Sequence, residues 1–249
     1  MVHLTPSQLE VIREIRHEWP DTPLALIGAL ALGAHIDMSY RQTEDVDLAL
    51  AISMDAFPAG LPGRPGWKQV AGREHNFLGP SGQAVDLLPA GPELISMGQL
   101  RWASGHTMSL VGFDLDFQAA EDVTIEDVSF RLPCAAALAF LKVRAWLDRP
   151  SERAKDLRDL AHLLRDYVPD DDMRRWEESY PEGLEFDDLS AFFLGRDLTT
   201  ICADHHRPHI DLFLEKVSSS ALAGHGPWVL EPGDEAERAI KALSRGWLP

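Results

Sequence analysis

Arg41-Gln42-Thr43-Glu44-Asp45-Val46-Asp47-Leu48-Ala49-Leu50-Ala51-Ile52 is the stretch on which the reading of this 249-residue chain turns. From Asp45 to Ile52 it reads as a β-strand. Alternation along a strand places residues two apart on one face, so Asp45 and Asp47 project together while Val46 and Leu48 point to the other side. Two carboxylates held that close repel one another unless protonation, a basic partner or a cation compensates, and a divalent metal does so most economically. Asp-x-Asp also occurs on plain solvent faces and turns, so its surroundings decide. A third acid, Asp86, sits inside the apolar run Ala84-Val85-Asp86-Leu87-Leu88, where an unpaired charge is expensive to bury. Convergence of Asp45, Asp47 and Asp86 on one site removes both anomalies. Magnesium fits such a site, because it takes oxygen ligands and usually binds through one or two carboxylates plus substrate phosphates.

Upstream, Thr5-Pro6-Ser7-Gln8 carries a cap residue, a proline at the first helical position and a glutamine three residues after the cap, and it opens a helix running to Trp19. Leu24 to Ile27 reads as a short buried strand entering Gly28, followed by a helix through Ile36. Downstream of a Pro/Gly-rich loop from Phe57 to Gly66, strands are expected at Trp67 to Ala71, His75 to Leu78 and Ala84 to Leu88. Pro92 to Ala103 is expected to be helical, and Met108 to Phe117 and Val128 to Leu132 extended. From Pro133 the pattern changes to helices at Ala135 to Leu147, Glu152 to Tyr167, Asp187 to Cys202, Ile210 to Ala221 and Asp234 to Leu243. The expected architecture is α/β (α+β): a mixed sheet with flanking helices in residues 1–132, followed by an all-helical domain in residues 133–249.

Composition is that of a globular protein, with 45% hydrophobic and 25% charged residues. Cys134 and Cys202 belong to no paired spacing, no signal peptide is recognisable, and the apolar stretch from Leu24 to Ala34 is too short to span a bilayer, so a cytoplasmic location without membrane partners is expected. A formal net charge of -17 opposes long-range capture of a polyanion. Much of that excess lies between Asp166 and Asp197, where acids outnumber bases 11 to 3.

In the helical half, Lys142 has Leu138, Ala139, Ala145 and Trp146 as its neighbours three and four positions away, which puts an ammonium on an apolar face. Such a group needs an anion, either a phosphate or an acid from the next helix. Asp156 borders the apolar stripe Leu157, Leu160, Ala161 and Leu164 and can form a structural ion pair with it. His205, His206 and His209 have a spacing that could offer two imidazoles to a metal, though a surface cluster is the more ordinary reading. Trp102, Trp146, Trp176, Trp228 and Trp247 lack basic interleaving and read as packing residues.

Taken in order, Gly28-Ala29-Leu30-Ala31, Arg41-Gln42-Thr43-Glu44-Asp45-Val46-Asp47-Leu48 and Val85-Asp86-Leu87 resemble the polymerase-beta-like nucleotidyltransferase superfamily, whose pattern is a glycine motif, Asp-x-Asp and a later separate Asp. Leu141-Lys142-Val143-Arg144-Ala145-Trp146-Leu147-Asp148-Arg149 and Ala154-Lys155-Asp156-Leu157-Arg158-Asp159-Leu160 are similar to helical stretches of its AbiEii-type toxins. The resemblance covers roughly Leu24 to Leu164. It implies transfer of a nucleoside monophosphate from a nucleoside triphosphate to a hydroxyl, with two Mg2+ ions, in a cleft between the domains. Asp45 and Asp47 would bind both metals, and Asp86 the catalytic one while helping to deprotonate the acceptor. Gly28, Ala29, Arg41, Thr43 and Lys142 would serve the nucleotide, and Asp156 would fix Lys142 or an acceptor group. Arg41 could equally pair with Glu44, and Gly28 could simply close a turn. Ala29 departs from the family's Gly-Gly or Gly-Ser and lacks a hydroxyl donor.

The implied acceptor is RNA or protein, with an antitoxin as a possible partner. A second reading is a small-molecule modifier resembling the lincosamide and aminoglycoside nucleotidyltransferases, which the acidity favours. A third is a nucleotide- or partner-binding protein without turnover.

Overall fold

The first helix, α1 (Pro6–Glu18), starts at a complete capping box: the Gln8 amide donates to the Thr5 hydroxyl at 3.3 Å, and the Thr5 amide donates to Gln8 Oε1 at 2.9 Å. The protein is seen here as a computed structural model describing residues 2–57, 60–218 and 234–248. It divides into two units, Met1–Cys134 and Ala135–Pro249.

In the first unit the chain continues through β1 (Leu24–Ile27), α2 (Gly28–Leu32), β2 (Val46–Leu50), β3 (Lys68–Gln69), β4 (Asn76–Leu78) and β5 (Ala84–Pro89). It then forms α3 (Pro92–Met97), β6 (Gln99–Arg101), β7 (Thr107–Ser109), α4 (Phe113–Gln118), β8 (Ala120–Ile125) and β9 (Val128–Pro133). Seven strands make a mixed sheet in the order β3-β4-β5-β2-β1-β9-β8, and β6 and β7 form a separate hairpin. β1 is antiparallel to β2 and parallel to β9, while β2 and β5 are parallel. Register partners share a face, so Val46, Leu48 and Leu50 align with Val85, Leu87 and Pro89 on one side, and all six are buried. Asp47 and Ala49 align with Asp86 and Leu88 on the other side.

The α/β architecture expected from the sequence is the one observed, with local departures. The helix expected over 92–103 stops at Met97, because Gly98 adopts a left-handed backbone with φ 67° and turns the chain into β6. The strand expected over 108–117 is broken by Gly112, at φ 96°, and its second half is α4. β8 was not anticipated: its Glu121 and Asp122 give it the charged character of an edge strand rather than apolar alternation. The helix expected from Glu152 begins at Ala154, and the one expected over 187–202 starts with a 3-10 turn before Leu189.

The described α-helices of the second unit are α5 (Ala135–Asp148), α6 (Ala154–Asp166), α7 (Arg174–Glu177), α8 (Leu189–Ile201), α9 (Arg207–Ser218) and α10 (Asp234–Trp247); all but the short α7 were expected from the periodic pattern. The expected continuation to Ala221, together with Trp228, lies outside the described residues. α8 and α10 cross at glycines: a Cβ on Gly195 would stand 2.2 Å from the Leu243 carbonyl oxygen, and one on Gly246 2.0 Å from that of Phe192. Trp247 is buried there and donates to Asp211 at 2.7 Å. Trp102 and Trp146 are packing residues too, whereas Trp176 is 68% exposed and corrects the reading that all the tryptophans serve packing. Arg175 is buried among the carbonyl oxygens of Val168, Pro169 and Phe186.

One acid of the first unit is buried at a cost. Asp116, in α4, has no accessible surface, and neither carboxylate oxygen has a hydrogen-bond partner among the described residues. Burial, helped by the charge of Asp114, holds its pKa well above the usual carboxylate value. The unfolded chain therefore ionises first, and stability is lost as pH rises from the ordinary Asp range toward the raised folded value. Asp116→Asn should gain stability relative to the wild type between pH 5 and pH 8, by up to about 1.4 kcal/mol per pH unit while Asp116 stays neutral in the fold. Urea denaturation at the two pH values checks this, and parallel pH profiles would refute it.

Candidate active site

Asp47 and Asp86 are register partners on adjacent parallel strands, so their side chains leave the same face of the sheet. This is the geometry on which the metal reading depends, since a one-residue slip would have put them on opposite faces. Neighbouring strands lie about 4.8 Å apart. Two ionised carboxylates about 5 Å apart repel by about 3 kcal/mol at an effective dielectric constant of about 20. Both residues are half-buried.

Gly28 makes the position of Asp47 possible. Its φ is +71°, a conformation other residues rarely adopt, and a Cβ there would lie 2.0 Å from Asp47 Oδ2 and 2.7 Å from its Cγ. The carboxylate thus lies where a side chain at residue 28 would be. The turn-closing role of Gly28 and its place in the site are one fact.

Asp86 is also flanked on its other side. Asn76, its register partner on β4, donates from Nδ2 to Asp86 Oδ1, and this residue was not singled out from the sequence. The signal was there: the turn Gly79-Pro80-Ser81-Gly82 sets the register of the β4–β5 hairpin, in which Asn76 falls opposite Asp86.

Asp45 precedes β2 and is exposed. Among the described residues, the oxygens of Asp45, Asp47 and Asp86 do not all lie within 4.8 Å of one another. The sheet therefore aligns the second and third acids, and Asp45 stands two residues before Asp47, just ahead of β2. Its backbone is tethered one residue earlier, where the Glu44 carbonyl accepts from the side chains of Gln83 and Gln8. In the segment leading in, Thr43 Oγ1 is buried with no hydrogen-bond partner among the described residues. Arg41 is half-buried, and Ala29 lies buried within α2. The donor set is all oxygen, and the orphaned Thr43 hydroxyl and the carboxylate seated over Gly28 both suit a magnesium-bound phosphate ligand.

Lys142 and Asp156 lie in the second unit. The Lys142 ammonium is buried between two carboxylates, 2.9 Å from Asp156 Oδ1 and 2.8 Å from Asp159 Oδ2. Burial pulls its pKa down, but the two carboxylates outweigh that and hold it above the usual lysine value, so it stays charged. Asp159 was missed in the sequence, although it stands three residues after Asp156 on the same helical face. Arg153 approaches Asp156 Oδ2 at 3.6 Å.

The histidines take no helical arrangement at 205 and 206, which sit in the turn before α9. His206 is buried, accepts from the Ala203 amide at 3.1 Å and packs edge-on against Phe140. Burial, followed by the charge of Arg144, lowers the pKa of His209. His206 and His209 thus belong to the packing of this unit.

Gly28→Ala should cost about 1–3 kcal/mol through the left-handed backbone alone and displace the Asp47 carboxylate. Urea denaturation and manganese titration of the variant check both effects, and wild-type stability with wild-type manganese affinity would refute this account of Gly28. Removing one member of a buried ion cluster costs about 3–5 kcal/mol, so Lys142→Met should lower stability by that order in thermal or urea unfolding. A variant as stable as the wild type would show that the triad does not hold α5 to α6.

No family model and no curated protein matches this chain. Among solved structures, it is similar to an antigenic nucleotidyltransferase-like protein from Paracoccidioides brasiliensis, at 16% identity over 87% of this chain and 88% of that one, with a TM-score of 0.47. It is also similar to the solution structure of the antibiotic-resistance factor ANT(2'')-Ia, at 13% identity over 88% of this chain and 94% of that one, with a TM-score of 0.39. Among the described residues, no helix is long and apolar enough to cross a membrane.

Proposed function

We propose that the chain is a metal-dependent nucleotidyltransferase whose active site is the carboxylate pair Asp47 and Asp86 with Asp45 beside it. The observation that carries this reading is the in-register placement of Asp47 and Asp86 on one face of parallel strands. Bound magnesium, two ions by the family resemblance, would neutralise phosphate oxygens and steady the charge that builds on the attacking and leaving oxygens. The three aspartates would hold it. Thr43, with its orphaned hydroxyl, and Arg41, in the same leading segment, would meet the triphosphate. Gly28 and Ala29 would let the backbone approach it. An acceptor hydroxyl oxygen bonds to the α-phosphorus and its proton passes to Asp86. The bond from that phosphorus to the α,β-bridging oxygen breaks, and pyrophosphate leaves with the electron pair.

Lys142, expected to contact the nucleotide, and Asp156, expected to fix Lys142 or an acceptor group, are better read as part of a structural ion cluster, since two carboxylates already engage the lysine. That weakens the feature which favoured an AbiEii-type toxin acting on RNA or protein beside an antitoxin partner. The net charge of -17 favours the second reading, a compact hydroxyl-bearing small molecule as acceptor.

The test is incubation with magnesium and each labelled triphosphate in the presence of tRNA, cell protein or an aminoglycoside or lincosamide. Label should pass to one acceptor class, and Asp47→Ala and Asp86→Asn should each reduce the transfer by about 100-fold or more while circular dichroism is unchanged. Substantial transfer by folded Asp47→Ala overturns the assignment. Triphosphate binding without label on any acceptor favours a binding protein without turnover.

A further inference from the structure

We propose that Asn76 is a positioning residue for the carboxylate pair, fixing the plane of Asp86 so that it and Asp47 address one divalent cation. The inference rests on the reading of that pair as a metal site. Three observations carry it. Asn76 stands directly across from Asp86 in the β4–β5 ladder and on the same face, so the contact is set by the backbone and not by a flexible loop. Its Nδ2 donates to Asp86 Oδ1, which removes the carboxylate's freedom to rotate. The opposite amide orientation would set oxygen against oxygen, so the donor assignment follows from the chemistry. Its own Oδ1 is buried with no partner among the described residues, at a position where the strand would otherwise favour a β-branched or aromatic residue.

A residue kept for the fold alone would not leave a buried oxygen unmatched in a strand. For orienting a metal ligand, an asparagine suits better than a cation: a neutral amide holds the carboxylate in place and adds no positive charge to compete with the ion. Groups that orient metal ligands in this way are worth about 10- to 100-fold in metal affinity. Magnesium keeps several waters when bound, and Asn76 Oδ1 is an acceptor for one of them.

The test is Mn2+ binding to the full chain, followed by calorimetry or by the electron paramagnetic resonance of the free ion, with no acceptor or triphosphate needed. Asn76→Ala and Asn76→Thr should weaken Mn2+ binding by about 10- to 100-fold with the melting temperature close to that of the wild type, or higher for the β-branched threonine. Wild-type Mn2+ affinity in either folded variant overturns the proposal, and failure of both to fold overturns it as well by assigning Asn76 to the fold. Asp47→Asn and Asp86→Asn separate this result from the underlying reading. If the wild type binds no Mn2+, or binds it equally without those acids, the metal site itself falls. If binding needs both acids but not Asn76, only the positioning role falls.

Discussion

The register between β2 and β5 is the constraint on which the site depends. It is held from the back of the sheet, where Val46, Leu48 and Leu50 face Val85, Leu87 and Pro89. Burying an aliphatic side chain of this size is worth about 1.5–3 kcal/mol, so the shared face contributes several times the roughly 3 kcal/mol by which two carboxylates about 5 Å apart repel. A slip of either strand by one residue would drive its aspartate into the core, turn its aliphatic residues outward and leave the two acids on opposite faces. The apolar side therefore forces the polar side into a geometry that it would not choose for itself.

A second constraint comes from the turn after β1. Gly28 has to be glycine twice over, once for its φ of +71° and once because the Asp47 carboxylate fills the volume of its missing side chain. The two requirements reinforce one another: the backbone that ends β1 also makes the slot that seats the acid on β2.

The long periodic segments were legible from the sequence because their signals are local. The capping box at Thr5 and Gln8, the apolar β1, the alternating Asp47 and Asp86 strands and the helices from Ala135 all carry their own pattern. The misreadings came where one short segment contains two elements. Gly98 and Gly112 divide windows whose average composition looked uniform, and β8 presents charges because it lies at an edge. The residues that hold the acids and their leading segment in place were harder still. Asn76 and Gln83 act across a hairpin and at a distant carbonyl, so their roles appear only once register is assigned. Lys142 announced itself as a misplaced charge, but the sequence alone left open whether its anion was a ligand or a neighbour.

The answer for Lys142 bears on the choice of acceptor. A buried lysine offering its donors to a phosphate would have been a reason to think of a nucleic acid, or of a large substrate drawn along a basic groove. Asp156 and Asp159 engage that charge within the helical unit, and the acidic excess between Asp166 and Asp197 adds no compensating basic surface. Long-range repulsion of a polyanion is therefore opposed by little that the described helices provide. On the proposed reading a triphosphate would meet the same repulsion but bring a divalent cation with it to the aspartates, whereas an RNA acceptor would face the acidic surface along its whole length. That asymmetry is why the chemistry proposed for the carboxylate pair fits a small hydroxyl-bearing acceptor better than a nucleic acid.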